Sequence, residues 1–528
     1  MNSFNKEEEE KIKEDTFLLD NLPGAKEMLS LALPNKDILY YPFSSNACQN
    51  LKAFDFISQK NVNEQDNNNF VSIEIKNVTN PQKVKKNKKN QNFNNNNVQK
   101  KNVQQKNQYL PPQPKFKVSQ SINPDSTWKI IVDYNKLRLE KIVLNKEVKI
   151  SVENKLILGK IYNFIEDIDS KISVYNPTTL NNYENMKFFG NVSTLEDNHI
   201  KKLVNEANVF LTDKIMSVIM TSVYSSHPWH LKIKKLGDNI YIDKMDNSEI
   251  DLVTVNESDE TPSDELDNNI NNYKRLAIEA TLINEFIKEQ IIDLNSEPYK
   301  CDGPNPFVDE DIKPEQIEHL GYVYRVWKLD NLKILIRCQV HSYQEKIEEI
   351  NVAEKNIISS DDENEEEEEE DEEKKNEDEN KYEFVNVYAL NEFDKNSYLN
   401  KDTNAVTSIL KKELINNHLK LTKWGVNCYL AGIEQIKLAF VTRKNLKDNN
   451  NHLISGFYNI KTKELLKITN FNPSIAWGIF KDIIDFVKQT KEDSSFILMK
   501  TLGTTTSKSM LKLYNVPETY FENLEEEE

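Results

Sequence analysis

Apolar residues recur at helical spacing in the stretch that begins at residue 273. They follow one another at steps of three and four: Leu276, Ala280, Ile283 and Ile287. This spacing places them on one face of a predicted helix. Further along, Tyr322–Leu329 alternates large apolar or aromatic side chains with others, which is typical of a half-buried strand. The pattern therefore predicts a helix and then a strand within residues 273–329.

The same patterns predict further elements between about residues 121 and 520. Helices are predicted at Ala207–Met220, with Thr212 or Asp213 near its start, at Ala405–Asn416 and at Ile475–Thr490. Strands are predicted at Leu231–Ile233 and Ile240–Asp243, as a hairpin, and at Leu252–Val255, 320–328, 332–340, Phe384–Leu390 and Gln435–Thr442. Leu419–Leu430 fits either type. Because helices and strands alternate irregularly, without a βαβ repeat, an α+β fold is favoured over a doubly wound sheet.

Charge divides the chain into distinct segments. The net charge is −18, yet residues 81–117 hold ten lysines and no acid, whereas residues 361–379 hold fifteen acids and two lysines. We expect a disordered basic linker at 61–120, a disordered acidic insertion at 346–380 and an acidic tail at 521–528. The linker lysines suit contact with RNA phosphates, although a plain solvated linker is the commoner meaning of such a run.

Cysteine usage and hydropathy indicate the compartment. Four cysteines lie far apart, at positions 48, 301, 338 and 428, without a CxxC pair, which fits a reduced compartment. No apolar run approaches the roughly 18–20 residues needed to span a bilayer. The acidic N-terminus lacks the apolar core of a signal peptide. We expect a cytosolic or nuclear protein that does not bind membranes.

The usual motifs of nucleotide-binding and hydrolytic enzymes are missing from the sequence. Its eleven glycines form neither GxGxxG nor GxxxxGK[ST], so a dinucleotide or P-loop site is not expected. His227 and His230 stand close together, but no cysteine or acid completes a zinc site, which favours a role at the surface or core edge. No GxSxG and no Cys–His signature supports a hydrolase. We expect neither a metal nor a cofactor.

Several motifs, in order and with compatible spacing, resemble the d-type subunit of eukaryotic translation initiation factor 3. Besides the stretch at 273–329, they are Asn208–Asp213, Lys244–Val255, Ala389–Asp394, Leu421–Trp424 with Leu430–Gly432, and Ala476–Ile479. The resemblance covers roughly residues 121–520. It implies a cytoplasmic component of a multi-protein complex that binds the mRNA cap and helps to recruit capped mRNA to the small ribosomal subunit, without cutting RNA.

The family is similar in fold to the decapping exoribonucleases, so the resemblance implies an α+β, mixed-sheet cap-binding domain at residues 121–520. In those nucleases a strand presents Glu-x-Lys to a metal ion and the scissile phosphate. The corresponding strand here carries Asn386 and Tyr388, and the upstream strand offers Arg337 and Gln339 in place of acids. A neutral amide is a poor ligand for a divalent cation, and tyrosine lacks the charge that would stabilise a phosphate. The resemblance thus implies a nuclease-like scaffold without nuclease chemistry.

The resemblance also implies a cap-binding pocket. Its side chains would be Asp213, Ser226, His227, Thr281, Asn284 and Glu285. The 7-methylguanine ring carries positive charge, so it favours stacking on planar groups and contact with acids. The last three residues fall at i, i+3 and i+4 and share one helix face. Ser226-His227 replaces the Val-Tyr usual in the family, and Glu285 stands where His is common. Ordinary polar surface positions are the alternative interpretation.

The acidic loop at 256–272 falls where the family inserts a segment near its RNA channel. Its six acids include Asp259, Glu260, Asp264 and Glu265. Such acids would repel phosphate, which suits a gate at the entrance to the channel. A merely solvated loop is the alternative.

The first 60 residues contain an apolar segment, LPNKDILYYPFSSN, in which two prolines interrupt any long helix. Such a segment either packs on the core of its own chain or lies as an extended arm on a partner. The resemblance implies the arm, docked onto neighbouring initiation factor subunits.

Three hypotheses of function follow. The first is a non-catalytic cap-binding subunit, with other initiation factor subunits, capped mRNA and the small ribosomal subunit as partners. The second is an active, metal-dependent decapping or exonucleolytic enzyme, which requires metal-binding acids that the sequence does not locate. The third is a purely architectural subunit in which the cap pocket is vestigial.

Overall fold

A computed structural model describes residues 122–254, 273–346, 381–392, 409–501 and 511–521, except 140, 146–147, 184, 191, 226–227, 246–247, 309–311, 411–412, 415–416, 446, 491–492 and 518–519. The predicted arm at 1–60, the basic linker, the gate loop with its four acids, nearly all of the acidic insertion and of the acidic tail, and Ser226 and His227 lie outside the described residues.

Sixteen strands and eight α-helices can be bounded among the described residues. The strands are β1 Lys129–Tyr134, β2 Ile150–Gly159, β3 Asn163–Phe164, β4 Thr178–Thr179, β5 Val209–Thr212, β6 Trp229–Leu236, β7 Asn239–Lys244, β8 Ile292–Asp293, β9 Gly321–Leu329, β10 Leu332–Val340, β11 Ser342–Glu345, β12 Tyr382–Glu392, β13 Gln435–Arg443, β14 His452–Lys461, β15 Ser494–Lys500 and β16 Leu511–Val516. The helices are α1 Lys136–Leu139, α2 Ile168–Lys171, α3 Asn198–Lys202, α4 Asp213–Met220, α5 Tyr273–Gln290, α6 His418–Ala431, α7 Thr462–Ile468 and α8 Pro473–Lys488.

The strands form two mixed sheets within the described part of the chain. One has the order β1-β16-β15-β6-β7-β5-β10-β9-β2, and the other has the order β4-β14-β13-β12-β11-β3-β8. In the first sheet β5 is parallel to both neighbours, β7 and β10. In the second sheet β12 is parallel to β13 and β11 to β3, while its other strand pairs are antiparallel. The predicted α+β class with mixed sheets is therefore confirmed.

Local sequence explains several of these elements. Helix α5 forms as predicted, and its apolar stripe is buried at Leu276, Ala280, Ile283 and Ile287. The predicted strands at 320–328 and 332–340 form the β9–β10 hairpin, whose turn holds Asp330 at φ 50°, a left-handed conformation that Asp tolerates. The β6–β7 hairpin turns at Gly237 with φ 58°. The strands at Phe384–Leu390 and Gln435–Thr442 and the helix at Ile475–Thr490 are confirmed as β12, β13 and α8.

Two predicted elements are wrong in part. Val209–Thr212 is not the start of a helix but the buried strand β5, because an apolar run between two parallel neighbours is satisfied by the sheet ladder. The helix begins at Asp213, where the Thr212 side chain accepts a hydrogen bond from Ile215 N. Leu252–Thr254 forms no strand, since Val253 N donates to Thr281 Oγ1 at 2.8 Å instead.

The remaining predictions concern helices in the C-terminal half. Leu419–Leu430, which fitted either type, lies in helix α6, and this helix ends at Gly432, whose φ of 75° suits a C-terminal glycine. Of the predicted helix Ala405–Asn416, the described residues Ile409, Leu410, Glu413 and Leu414 are helical.

The largest hydrophobic core joins both sheets through helices α4, α6 and α8. Trp477 of α8 is fully buried and lies 5.2 Å from Trp327 of β9, between ring centroids. A second cluster packs helix α5 on β12, β13 and β14. Helices α4, α5 and α6 are thereby held against the strand ends around one cavity. Among the described residues, no helix combines the length and apolar character needed to cross a membrane.

Candidate functional site

A cavity of about 100 Å³ lies where helices α4, α5 and α6 meet strands β10 and β12. Its walls include Asp213, Lys214 and Ser217 of α4, Thr281, Asn284, Glu285 and Lys288 of α5, Gln339 of β10, His341 between β10 and β11, Asn386 and Tyr388 of β12, Lys420, Lys423, Trp424 and Asn427 of α6, and the segment 250–254. Four of the residues predicted from sequence thus share one cavity: Asp213, Thr281, Asn284 and Glu285.

Parallel pairing of β5 and β10 brings Asp213 to the cavity. Thr212, the last residue of β5, is paired with Arg337 of β10, so both strands end on the same side. Asp213 follows at once as the first residue of α4, and its Oδ2 accepts from Gln339 N at 3.1 Å while Oδ1 accepts from Lys214 N at 2.7 Å. Burial raises the pKa of Asp213, and these hydrogen bonds oppose that rise only in part.

Two predicted residues of α5 are already bonded to the protein. Thr281 Oγ1 donates to Ala277 O at 2.7 Å and accepts from Val253 N at 2.8 Å, which holds the segment 250–254 on the rim. Asn284 Nδ2 donates to Ala280 O and Ala389 O, at 2.8 and 3.1 Å, and its Oδ1 accepts from Ala389 N at 2.9 Å. These side chains line the cavity and also hold its walls together.

Charges of both signs meet at the floor of the cavity. Lys288 Nζ lies 2.6 Å from Glu285 Oε2 and 3.2 Å from Gln339 Oε1. Burial alone would raise the pKa of Glu285, but the ammonium groups of Lys288 and Lys214 outweigh it and hold that pKa below its ordinary value. Burial likewise opposes the charge on Lys214, but Glu285, Asp251 and Asp213 raise the pKa of Lys214. The floor therefore keeps an ionised carboxylate at neutral pH.

Asn386 connects strands β10 and β12. Its Oδ1 accepts from His341 N at 2.9 Å, and its Nδ2 donates to Gln339 O at 3.2 Å. His341 Nδ1 in turn accepts from Val387 N at 3.1 Å. Burial, and then the nearby Lys288, lower the pKa of His341 well below its usual value, so the ring is neutral and its nitrogen can accept.

Tyr388 and Trp424 form an aromatic wall. Their rings stack with centroids 4.7 Å apart and planes 10° apart. Burial raises the pKa of Tyr388 well above its usual value, so the phenol is uncharged. Lys420 Nζ lies 5.4 Å from the centroid of Trp424 and 2.8 Å from Glu413 Oε2. This wall is apolar and planar, and lysines border it.

Among the described residues, three acids line the cavity: Asp213, Asp251 and Glu285. Asp251 is ion-paired with Lys244, as Glu285 is with Lys288. In the described part of the chain, no group of three or more His, Cys, Asp or Glu side chains is arranged to hold a metal ion. A second cavity of about 270 Å³ adjoins the first and shares Lys214 and Asp251 with it.

Sequence reasoning missed several lining residues. Lys288 stands three positions after Glu285 on the same helix face, so helical periodicity could have found it. Lys214 directly follows Asp213. The α6 residues Lys420, Lys423, Trp424 and Asn427 carry no local signal, because only the tertiary fold brings that helix to α5.

The family model of eukaryotic translation initiation factor 3 subunit 7 matches residues 39–515. The D-type subunit of that factor from Nasonia vitripennis is 31% identical over 417 residues, which cover 78% of this chain and 67% of the relative. Its Aedes aegypti counterpart is 31% identical over 79% of this chain and 62% of its own length, so the matched chain spans less than two thirds of that relative. The D-1 form from Drosophila melanogaster is 31% identical, over 78% of this chain and 68% of its own.

Solved structures show a more distant likeness. Scheffersomyces stipitis Rai1 in complex with (3'-NADP)+ and calcium ion is 12% identical, with a TM-score of 0.44, and the match covers 76% of this chain and 96% of that one. Kluyveromyces lactis Dxo1, solved with manganese, is 11% identical, with a TM-score of 0.33 over 74% of this chain and 94% of that one.

Proposed function

The chain belongs to the family of subunit 7, also called the D-type subunit, of eukaryotic translation initiation factor 3, and on that premise we propose that it binds the 7-methylguanosine cap of mRNA in the cavity between α4, α5 and α6. Membership of the family makes it a translation initiation factor, one component of a multi-subunit complex that acts in protein biosynthesis. In the proposal it works in the cytoplasm, binds RNA without cutting it, and promotes recruitment of capped mRNA to the small ribosomal subunit.

The observation that carries the proposal is the convergence of Asp213, Thr281, Asn284 and Glu285 on one cavity. Asp213 and Glu285 suit a ring that carries positive charge. The stacked pair of Tyr388 and Trp424 supplies a planar apolar wall, which suits the faces of a base. Lysines of α6 on the same cavity suit the phosphates that follow the base.

The non-catalytic part of the proposal rests on β12. Its two positions that correspond to Glu-x-Lys are occupied by Asn386 and Tyr388. The Asn386 amide is bonded between two strands, and the Tyr388 ring is stacked on Trp424, so neither side chain is a free ligand. These contacts favour a scaffold over a nuclease.

Competition between cap analogues tests the binding claim. Full-length protein crosslinked to a radiolabelled capped RNA should lose the crosslink in the presence of 7-methylguanosine triphosphate but keep it in the presence of plain guanosine triphosphate. Equal competition by the two nucleotides, or none by either, would remove the cap from the proposal.

An active decapping enzyme is the second candidate, because acids line the same cavity. Purified protein incubated with capped RNA and either manganese or magnesium should release no cap product and no mononucleotides if the first proposal is right. Product that disappears in a Glu285→Gln variant would establish an enzyme instead.

An architectural subunit is the third candidate, because Asp213, Thr281 and Asn284 all bond within the protein.

We propose that residues 1–60 dock onto other subunits of the factor and that the acidic loop at 256–272 gates the RNA. Deleting residues 1–60 should release the protein from the complex and leave cap binding intact. Loss of cap binding from a variant still held in the complex would reverse this division of labour.

A further inference from the structure

The second cavity, of about 270 Å³, lies next to the cavity proposed for the cap. Lys214 and Asp251 line both cavities, so the same side chains separate and border them. Strands β6 and β7, the start of α4 and the segment 190–196 form the walls of the second cavity. An mRNA continues beyond its cap as a strand with one negative charge per phosphate. That strand must leave the first cavity, and the second cavity is beside it.

The acids of the second cavity have partners or face water. Asp243 accepts hydrogen bonds from Thr194 N at 3.0 Å and from Thr194 Oγ1 at 2.8 Å. Asp251 is ion-paired with Lys244. The third acid, Glu196, is exposed, so water screens its charge. These contacts leave the lysines of the cavity wall to determine which charge the cavity binds.

Strand β6 carries two lysines on one face. Lys232 and Lys234 lie two positions apart, about 7 Å along the strand, and both are partly exposed. Lys232 lines the second cavity. It is paired in register with Asp243 of β7, but that carboxylate bonds to Thr194 instead. In the described part of the chain, neither lysine forms an ion pair.

The third lysine of β6 has a different role. Lys235 is buried, and its Nζ donates to Lys488 O at 3.2 Å and to Thr490 O at 2.8 Å, at the end of helix α8. These contacts satisfy carbonyl groups that the helix leaves unpaired. Lys235 therefore stabilises the fold, whereas Lys232 and Lys234 remain available to an anion.

We propose that the RNA strand that follows the cap passes through the second cavity and along β6, with its phosphates against Lys232 and Lys234. This inference rests on the proposed cap binding and adds the path of the strand next to the cap. The lysines of α6 line the first cavity and not the second, so they suit the phosphates of the cap itself. Contacts with phosphates do not read bases, so RNA strands of different sequence should be bound alike.

Two ligands that differ in the attached strand test this path. Full-length protein is titrated, at several salt concentrations, with 7-methylguanosine triphosphate and with a short, unstructured, capped RNA. Lys232→Gln combined with Lys234→Gln should weaken binding of the capped RNA about 10- to 100-fold at low salt. Binding of 7-methylguanosine triphosphate should not change. The slope of log affinity against log salt concentration for the capped RNA should become shallower by about 1.4, because each phosphate contact of a single strand contributes about 0.7.

A second double variant controls for the change in net charge. Lys333→Gln combined with Lys463→Gln removes two exposed lysines that line neither cavity. It should leave both affinities and the salt slope unchanged. Lys232→Arg combined with Lys234→Arg keeps the positive charges and should bind capped RNA as the unmodified protein does. Thermal unfolding checks that each variant is folded.

The outcomes separate this inference from the proposed function. An equal loss of affinity for the two ligands would assign the lysines to the cap itself. An unchanged affinity and salt slope for the capped RNA would remove them from its path. Either result overturns the inference while cap binding stands, whereas failure of the unmodified protein to bind 7-methylguanosine triphosphate overturns both. A loss confined to the capped RNA, with a shallower slope and an unaffected control, supports the path along β6.

Discussion

Asn284 of α5 and Ala389 of β12 exchange two hydrogen bonds through a single side-chain amide, at 3.1 and 2.9 Å. Strand β11 pairs with β12 only from Tyr382 to Val385, so the next part of β12 lacks a strand on that side. Side chains take its place, because His341 Nδ1 accepts from Val387 N and Asn284 satisfies Ala389. The cavity lies just beyond Ser342, where β11 begins, and α5 is bonded to the strand edge left open there.

Replacing Asn284 should therefore destabilise the fold as well as change the cavity. Asn284→Leu leaves the N–H and C=O of Ala389 buried without partners, and we expect a loss of about 2–4 kcal/mol in the free energy of unfolding. Urea denaturation measures it. The control is Leu282→Gln, at a residue of the same helix that is 43% exposed. Its free energy of unfolding should stay within about 0.5 kcal/mol of that of the unmodified protein. Equal stability of the two variants would show that the amide is dispensable.

Glu285 should set the preference for a methylated cap. Glu285→Gln removes the carboxylate that favours a positively charged ring, so the ratio of 7-methylguanosine triphosphate affinity to guanosine triphosphate affinity should fall about 10- to 100-fold. Fluorescence titration measures both affinities. The matched control is Glu289→Gln, because Glu289 lies on the same helix but bonds His319. An unchanged ratio for Glu285→Gln would assign charge recognition to another group.

Glu318 should make stability depend on pH. Burial raises the pKa of Glu318 to about 7, and its hydrogen bond with the Tyr322 hydroxyl lowers that value only in part. The pKa of Glu318 is higher in the folded than in the unfolded chain. Its contribution to the free energy of unfolding is therefore fully present below the unfolded pKa and is lost as pH rises through about 7. Urea denaturation measures the effect. Between pH 5 and pH 8, the free energy of unfolding should fall by about 3 kcal/mol less in Glu318→Gln than in the unmodified protein.

The control for this pH effect is Glu315→Gln at an exposed position nearby. Its stability should follow the unmodified protein at every pH. Parallel curves for Glu318→Gln and the unmodified protein would mean that Glu318 ionises alike in the folded and unfolded chains.

Glu279 lies on the face of α5 away from the cavity, buried between Arg443 and His452. Its Oε1 accepts from Arg443 Nε and contacts His452 Nε2, each at 2.8 Å. Glu279→Ala removes the carboxylate that pairs with the buried guanidinium of Arg443, and we expect a loss of about 3–5 kcal/mol in the free energy of unfolding. Chemical denaturation measures the loss. Cap-analogue affinity, measured where the variant is folded, should be unchanged; a specific loss of affinity would connect the two faces of the helix.

Helical and strand periodicity predicted much of the fold. Helix α5, the β6–β7 and β9–β10 hairpins and helix α8 follow from patterns within a few consecutive residues. The predicted elements that were wrong are those whose structure depends on contacts with distant parts of the chain. The apolar run Val209–Thr212 suits a helix or a buried strand equally, and only its two parallel neighbours make it β5. Leu252–Thr254 bonds to a side chain of α5 instead of a strand.

The sequence by itself determined the family, the α+β class and the polar face of α5, because motif order and periodicity are local properties of the chain. The tertiary structure alone decided that α4, α5 and α6 meet β10 and β12 around one cavity. It also decided which polar atoms already have partners. Asn284 and Ala389 are 105 positions apart, so their hydrogen bonds depend on packing that no local pattern encodes.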